Sequence, residues 1–305
     1  MTVRHRYMTA VLRPLTAVLI LAVGDLVAAA QSEKAPDLIE WTPALLESGS
    51  PCLFTVKTQA GTTAVTGKWQ GRDVTFFRGG DGFSWYALVG IDVEVTQGTY
   101  PLTVDVVAAG EKHQTLHRDV SVRAGKYAKV TLHVPDKFVQ PDAEALKEIE
   151  ADKVVKEKAF ANTEPKPEWS GSFLPPLKMA PKSDSFGTRR VFNGTLASVH
   201  RGLDYRAAPG TRVASINSGR VVLARALYYE GNCVVIDHGM GLMSVYMHLS
   251  KFMVAEGDEV TRGEVIALSG GSGRATGPHL HLGVRWQGAY LDPAKLFALA
   301  LPKPH

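Results

Sequence analysis

A chain of 305 residues has room for two domains. Its formal charge of +4 falls to about +2 when the first thirty residues, carrying three Arg and one Asp, are set aside. With no arginine-aromatic stripe, that balance argues against a nucleic-acid partner. Beyond the N-terminal segment, no stretch is long and apolar enough to span a bilayer.

Residues 1–30 read as an export signal. Arg4, Arg6 and Arg13 give a basic start, Leu15–Val23 is largely apolar but too short to cross a membrane, and Ala28-Ala29-Ala30 is a small-residue cleavage pattern. No cysteine follows it, so a lipid anchor is not expected.

Residues 37–140 read as a domain of short strands: Cys52–Lys57, Val74–Phe77, Phe83–Val89, Tyr100–Val107 and Tyr127–Val134. Turn signals such as Gly79-Gly80-Asp81-Gly82 separate them. The spacing predicts an antiparallel β-sandwich, with an immunoglobulin-like arrangement as one candidate. It holds no catalytic constellation. Its expected role is positioning, covering the groove of the next domain, or binding a regulatory partner in the cell envelope.

Residues 141–175 read as a linker. Ala143–Phe160 is rich in Ala, Glu and Lys, with Leu146, Ile149 and Val155 spaced for one helix face, and a Pro-containing run follows. A solvated spacer helix is expected.

Residues 176–305 carry the chemistry. Ala208–Val213 and Ala255–Val260 share a small-x-Gly-x-x-Val form, each followed by Gly and an aliphatic pair, which supports an all-β fold. His200 and Asp204 stand as His-x-x-x-Asp, and His279 and His281 as His-x-His. In a strand, residues two apart share a face. His279, His281, Gly283 and Arg285 therefore line one face of their strand, and Leu280, Leu282, Val284 and Trp286 the other, which reads as core. Histidine and carboxylate suit zinc, and three protein ligands suit a catalytic rather than a structural ion.

A hairpin is expected around Gly239-Met240-Gly241. On its second strand Met243, Val245 and Met247 form the apolar face, and Ser244, Tyr246 and His248 the polar one, so His248 also faces a cleft. His238, at the turn, reads as structural. The run Gly270–Gly277 lacks the ending of a phosphate loop and leads into a strand, so it reads as a tight loop at the cleft.

The segments HRGLDY, DHGMGL with YMHLS, and GGSGRATGPHLH resemble the lysostaphin/LytM-type zinc metallopeptidases over roughly Asp184 to Phe297. The resemblance implies peptidoglycan endopeptidase activity, zinc held by His200, Asp204 and His281, and His248 and His279 as catalytic histidines outside the ligand set. The family often continues HLH with Phe-Glu, where Leu282-Gly283 stands here; no ligand is lost by that. An exported zinc endopeptidase of the periplasm or cell envelope, cutting peptidoglycan stems or cross-links, is the leading expectation. The alternative is a non-catalytic LytM-like module that activates a cell-wall amidase. From Gly171 onward there are 15 Lys/Arg against 9 Asp/Glu, a balance that favours an anionic wall surface. Cys52 and Cys233 fall in different regions and read as two buried thiols rather than a disulfide.

Overall fold

A computed structural model describes residues 1–2, 38–161, 163–178, 181–194 and 196–304. The export signal expected at residues 1–30 lies outside the described residues, apart from its first two. Residues 36–305 form one compact unit. It is mostly β, with a helix between an N-terminal β region and a C-terminal β domain.

The N-terminal region consists of two sheets. One orders Leu38–Thr42, Pro51–Lys57, Ser84–Gly90 and Phe77–Arg78; the other orders Leu46–Glu47, Lys112–Arg123, Gly98–Ala108, Thr62–Trp69 and Arg72–Thr75. Alternation decides which face is inside. In Gly98–Ala108, Leu102, Val104 and Val106 are buried while their neighbours are only half-buried. Phe54 from the first sheet meets Trp69 from the second edge-on, with ring centroids 5.3 Å apart. The two sheets thus pack as the expected sandwich.

The strand expected to close that sandwich lies elsewhere. Lys129–Leu132 pairs in parallel with Arg189–Phe192, which pairs in turn with Leu196–Val199. Within the expected strand Tyr127–Val134, Ala128 and His133 are exposed and Val134 is buried. Among the described residues, the region also holds the strands Leu38–Thr42, Thr62–Trp69 and Lys112–Arg123, which the sequence pattern does not predict.

The C-terminal domain is built on one large sheet. Its order runs Lys182–Asp184, Leu203–Arg206, His279–Trp286, Leu242–Phe252, Gly231–Asp237, Gly219–Leu227 and Glu259–Val260. One face holds Leu280, Leu282, Val284 and Trp286, all fully buried in the main core with Tyr246 and Leu249. Helix Ala143–Ala161 covers part of the opposite face. Its Val155, Ala159 and Phe160 pack on Leu223, Cys233, Val235, Met243 and Val245. The helix is therefore docked along one stripe rather than solvated all round, while Leu146, expected on the same stripe, is exposed. Cys52 and Cys233 are free, buried thiols in separate clusters.

Candidate metal centre and cleft

Strand pairing brings the first two site residues together. Asp204 and His281 are direct partners on antiparallel neighbours, so their side chains rise from the same face at the closest spacing a sheet offers. His200 comes from the turn before Leu203–Arg206, four residues ahead of Asp204. His200 Nε2 lies 3.0 Å from His281 Nδ1 and 3.1 Å from Asp204 Oδ1, and His281 Nδ1 lies 2.8 Å from Asp204 Oδ1. All three residues are buried.

Hydrogen-bond partners fix the protons. A carbonyl can only accept, so the 2.9 Å contact of His200 Nδ1 with Ser185 O puts the proton on Nδ1. Its Nε2 then presents a lone pair to the cluster. With both rings neutral, a single proton on His281 Nδ1 serves Asp204 and leaves the His200 lone pair facing the carboxylate at 3.1 Å. That arrangement is repulsive unless a cation sits among the three atoms. Nitrogen and oxygen donors at these separations fit a small divalent metal.

Burial alone would raise the Asp204 pKa, but its hydrogen bond with His281 holds it well below the ordinary carboxylate range. Arg190 secures its outer oxygen. One guanidinium nitrogen donates to Asp204 Oδ2 at 2.6 Å and to Asp184 Oδ2 at 2.6 Å, and Arg190 Nε donates to the latter at 2.9 Å. Burial works against charge on Asp184 as well, yet Arg190 keeps its carboxyl below the usual value.

His248 reaches the cleft, though not by the alternation expected of it. Ser244 and Tyr246, expected beside it on a polar face, are fully buried on the opposite side of the sheet. Tyr246 Oη accepts from Ile216 N at 2.8 Å, and Ser244 Oγ lies 2.8 Å from His238 Nε2. Met243, Val245 and Met247 share the face of His281 and Arg285. The pairing of Leu242–Phe252 with Gly231–Asp237 then slips, and His248 takes φ +62°. That left-handed step turns the ring out of the expected series. His248 N donates to Glu230 O at 2.9 Å, and Nδ1 donates to Ser272 O at 2.8 Å.

His279 stands at the near end of its strand, its Nδ1 donating to Gly277 O at 2.8 Å. The His248 and His279 rings lie 4.6 Å apart, and His279 Nε2 is 3.8 Å from Asp204 Oδ1. With Nδ1 so committed, each ring can exchange a proton only at Nε2, beside the cluster. Burial, reinforced by His279 and His281, lowers the His248 pKa to about 3, so it is neutral at working pH.

The structure thus brings together all five residues singled out in the sequence, in a cleft of about 830 Å³. His238 lies apart from them, fully buried between Ser218 O and Ser244 Oγ. The loop Gly270–Gly277 lies at the cleft, as expected, and supplies the carbonyls that orient His248 and His279. Sequence reasoning missed Asp184, Arg190, Glu230, Phe192, Tyr229 and Arg274. Asp184, Arg190 and Phe192 are set in place by strand pairing, and Tyr229, Glu230 and Arg274 lie in connections that the fold brings to the cleft, so no local spacing announces them.

A histidine and carboxylate cluster that could hold a metal ion thus lies on the floor of a β-sheet cleft. Residues 198–293 match the model of peptidase family M23. The peptidoglycan DD-endopeptidase ShyA of Vibrio cholerae is 46% identical over 100 residues, 32% of this chain and 23% of that protein. The DD-carboxypeptidase/endopeptidase Mpg of Neisseria meningitidis is 38% identical over 137 residues, 45% of this chain and 31% of that protein. The chain thus spans under a third of the length of either curated relative. A crystal structure from Pseudomonas aeruginosa, assigned to peptidase M23, superposes with a TM-score of 0.63 at 28% identity. That match covers 83% of this chain and 96% of the other.

Proposed function

We propose that this chain is an exported zinc-dependent endopeptidase of the periplasm or cell envelope that hydrolyses peptide bonds in peptidoglycan stems or cross-links. The observation that carries this reading is the geometry of five side chains. Three donor atoms on His200, Asp204 and His281 converge within 3.1 Å, and two further imidazoles flank them with Nδ1 committed to backbone carbonyls. His200 Nε2, His281 Nδ1 and an Asp204 oxygen would hold the metal. Zinc, when bound, lowers the pKa of a water and polarises a carbonyl.

The remaining steps belong to the chain. His248 and His279, with Nδ1 committed to carbonyls, can take a proton only at Nε2 and can return it to the leaving amine there. Arg190 draws the outer oxygen of Asp204 away from the cluster and keeps its inner oxygen turned toward the two imidazoles. The names of the relatives support a peptidoglycan substrate. The amidase-activator alternative is disfavoured because all five positions are filled. We further propose that residues 37–140 act in positioning or partner binding, with residues 141–175 as connector and 176–305 as the peptidase.

The test is digestion of purified peptidoglycan by the full mature chain, with and without a zinc chelator, read by mass spectrometry of released fragments. Chelator-sensitive release of peptide fragments is expected. A zinc-loaded chain that releases nothing would favour the activator reading.

A further inference from the structure

Asp204 and His281 rise from paired strands, whereas His200 sits in the connection between Leu196–Val199 and Leu203–Arg206. Outside the cluster, three bonds fix it, and all three run to the turn 185–188. Its Nδ1 donates to Ser185 O at 2.9 Å, its N donates to Thr188 O at 2.8 Å, and its O accepts from Gly187 N at 2.8 Å. Whatever holds that turn therefore sets where the His200 lone pair points.

Tyr127 holds the turn from behind. Its ring meets Phe186 edge-on, with centroids 6.1 Å apart. Gly187 takes φ +79°, and a Cβ there would overlap the Tyr127 ring, so the ring packs directly on the backbone of the turn. Beside it, Arg189 N donates to Ala128 O at 2.8 Å. Phe186, Gly187 and Thr188 are buried. The far end of the ring belongs to the N-terminal β region. Tyr127 Oη donates to Ser48 O, and Gly125 N donates to Ser48 Oγ at 2.8 Å. Burial pushes the Tyr127 hydroxyl up to about 12, so it stays a protonated donor at working pH. Ser48, Tyr127 and Phe186 all lie outside residues 198–293.

We propose that Tyr127 is a positioning residue for His200, and through it for the metal centre, by which the N-terminal β region sets the aim of a metal ligand. Ser48 anchors the hydroxyl, the ring braces Phe186 and Gly187, and the turn presents His200 Nε2 to the cluster. The inference rests on the proposed reading of the cluster as a zinc site and gives the β region a task there. Removing the brace should weaken metal binding although no donor atom is lost.

Zinc affinity of the metal-stripped full chain, measured by competition with a chromogenic chelator, tests this for wild type, Tyr127→Leu, Tyr127→Phe and Val104→Ala. Tyr127→Leu should bind zinc about 10-fold more weakly, the lower end of the loss seen when a metal ligand is deprived of an outer contact. Tyr127→Phe keeps the ring and drops only the bond to Ser48, so it should fall between. Val104 is fully buried in the strand Gly98–Ala108, which pairs with its sandwich neighbours. Val104→Ala should lower the thermal midpoint and leave zinc affinity as in the wild type, which separates positioning from lost stability. A second measurement needs no metal. Hydrogen exchange at the Gly187 and His200 amides, followed by NMR, should quicken in metal-free Tyr127→Leu while the amides of Gly231–Asp237 keep their wild-type rates. Unchanged exchange at both amides overturns the assignment. So does a zinc-binding wild type whose affinity Tyr127→Leu matches, or an equal loss in Val104→Ala. A wild type that binds no zinc, with exchange quickened in Tyr127→Leu, supports Tyr127 as the brace of His200 and removes the zinc reading.

Discussion

At the residue scale, the five side chains divide by what each nitrogen is bound to. His281→Ala removes a converging donor, so zinc content and peptide hydrolysis should fall together, read by atomic absorption and by fragment release. His248→Ala and His279→Ala should retain near-stoichiometric zinc while hydrolysis falls by at least about 100-fold, the usual reach of general acid-base catalysis. Arg190 touches no substrate in this scheme, yet it secures Asp204 at 2.6 Å. Arg190→Met should weaken zinc binding by about 10- to 100-fold, as losses of groups that orient metal ligands do, and this is checked by competition with a colorimetric chelator. His238 makes a different prediction. Burial lowers its pKa from 6.5 to about 4, so it is neutral in the fold and protonates more readily when unfolded. The stability it contributes is therefore present above about pH 6.5 and is lost as pH falls toward 4, on the order of 3 kcal/mol in all. Urea midpoints between pH 4.5 and 7 should fall more steeply for wild type than for His238→Gln.

At the element scale, the sequence was informative where one period governed a strand. His279–Trp286 alternates cleanly because one face is core and the other a cleft, so the placement of His279 and His281 could be read directly. Lys112–Arg123 was illegible because only Val120 and Val122 of its residues are buried, with Gln114 and Leu116 half-buried and the rest exposed, which blurs the contrast that marks a strand. Leu242–Phe252 misled for the opposite reason. It is buried on both faces, so Ser244 and Tyr246 looked solvent-facing when they satisfy an internal network. The cleft-ward turn of His248 depends on a left-handed φ that no residue type foretold. Helix Ala143–Ala161 read as a spacer because its apolar stripe is short; only Val155, Ala159 and Phe160 dock. Two polar ties complete the docking, Lys156 to Glu230 and Asp152 to Tyr228 N, both at 2.6 Å. Glu230 in turn holds the backbone of His248, so the helix supports the site through a single residue.

At the scale of the whole molecule, the N-terminal β region and the C-terminal domain share one continuous core, in which Val89 and Ile91 sit with Leu291 and Leu296. Asp292 N donates to Gly49 O at 2.8 Å, Tyr290 N to Asp92 Oδ2 at 2.7 Å, and Arg201 pairs with Glu94 at 2.7 Å. Removing everything before residue 141 would uncover Leu291 and Leu296 and delete the strand Lys129–Leu132. That truncation should melt well below the full chain and lose most of its hydrolysis. A piece starting at residue 124 keeps the strand, and so should keep more activity per mole than the shorter piece when both are assayed on the same peptidoglycan. The strand has a wider meaning for exchange between proteins. The segment that matches the family begins at residue 198, whereas Asp184, Arg190 and Phe192 precede it, and Lys129–Leu132 precedes them by more than fifty positions. A chimera cut at the limits of sequence similarity would inherit every donor atom for the metal and leave behind the arginine that aims one of them. In this architecture the smallest unit that can be transplanted is larger than the unit that sequence similarity recognises.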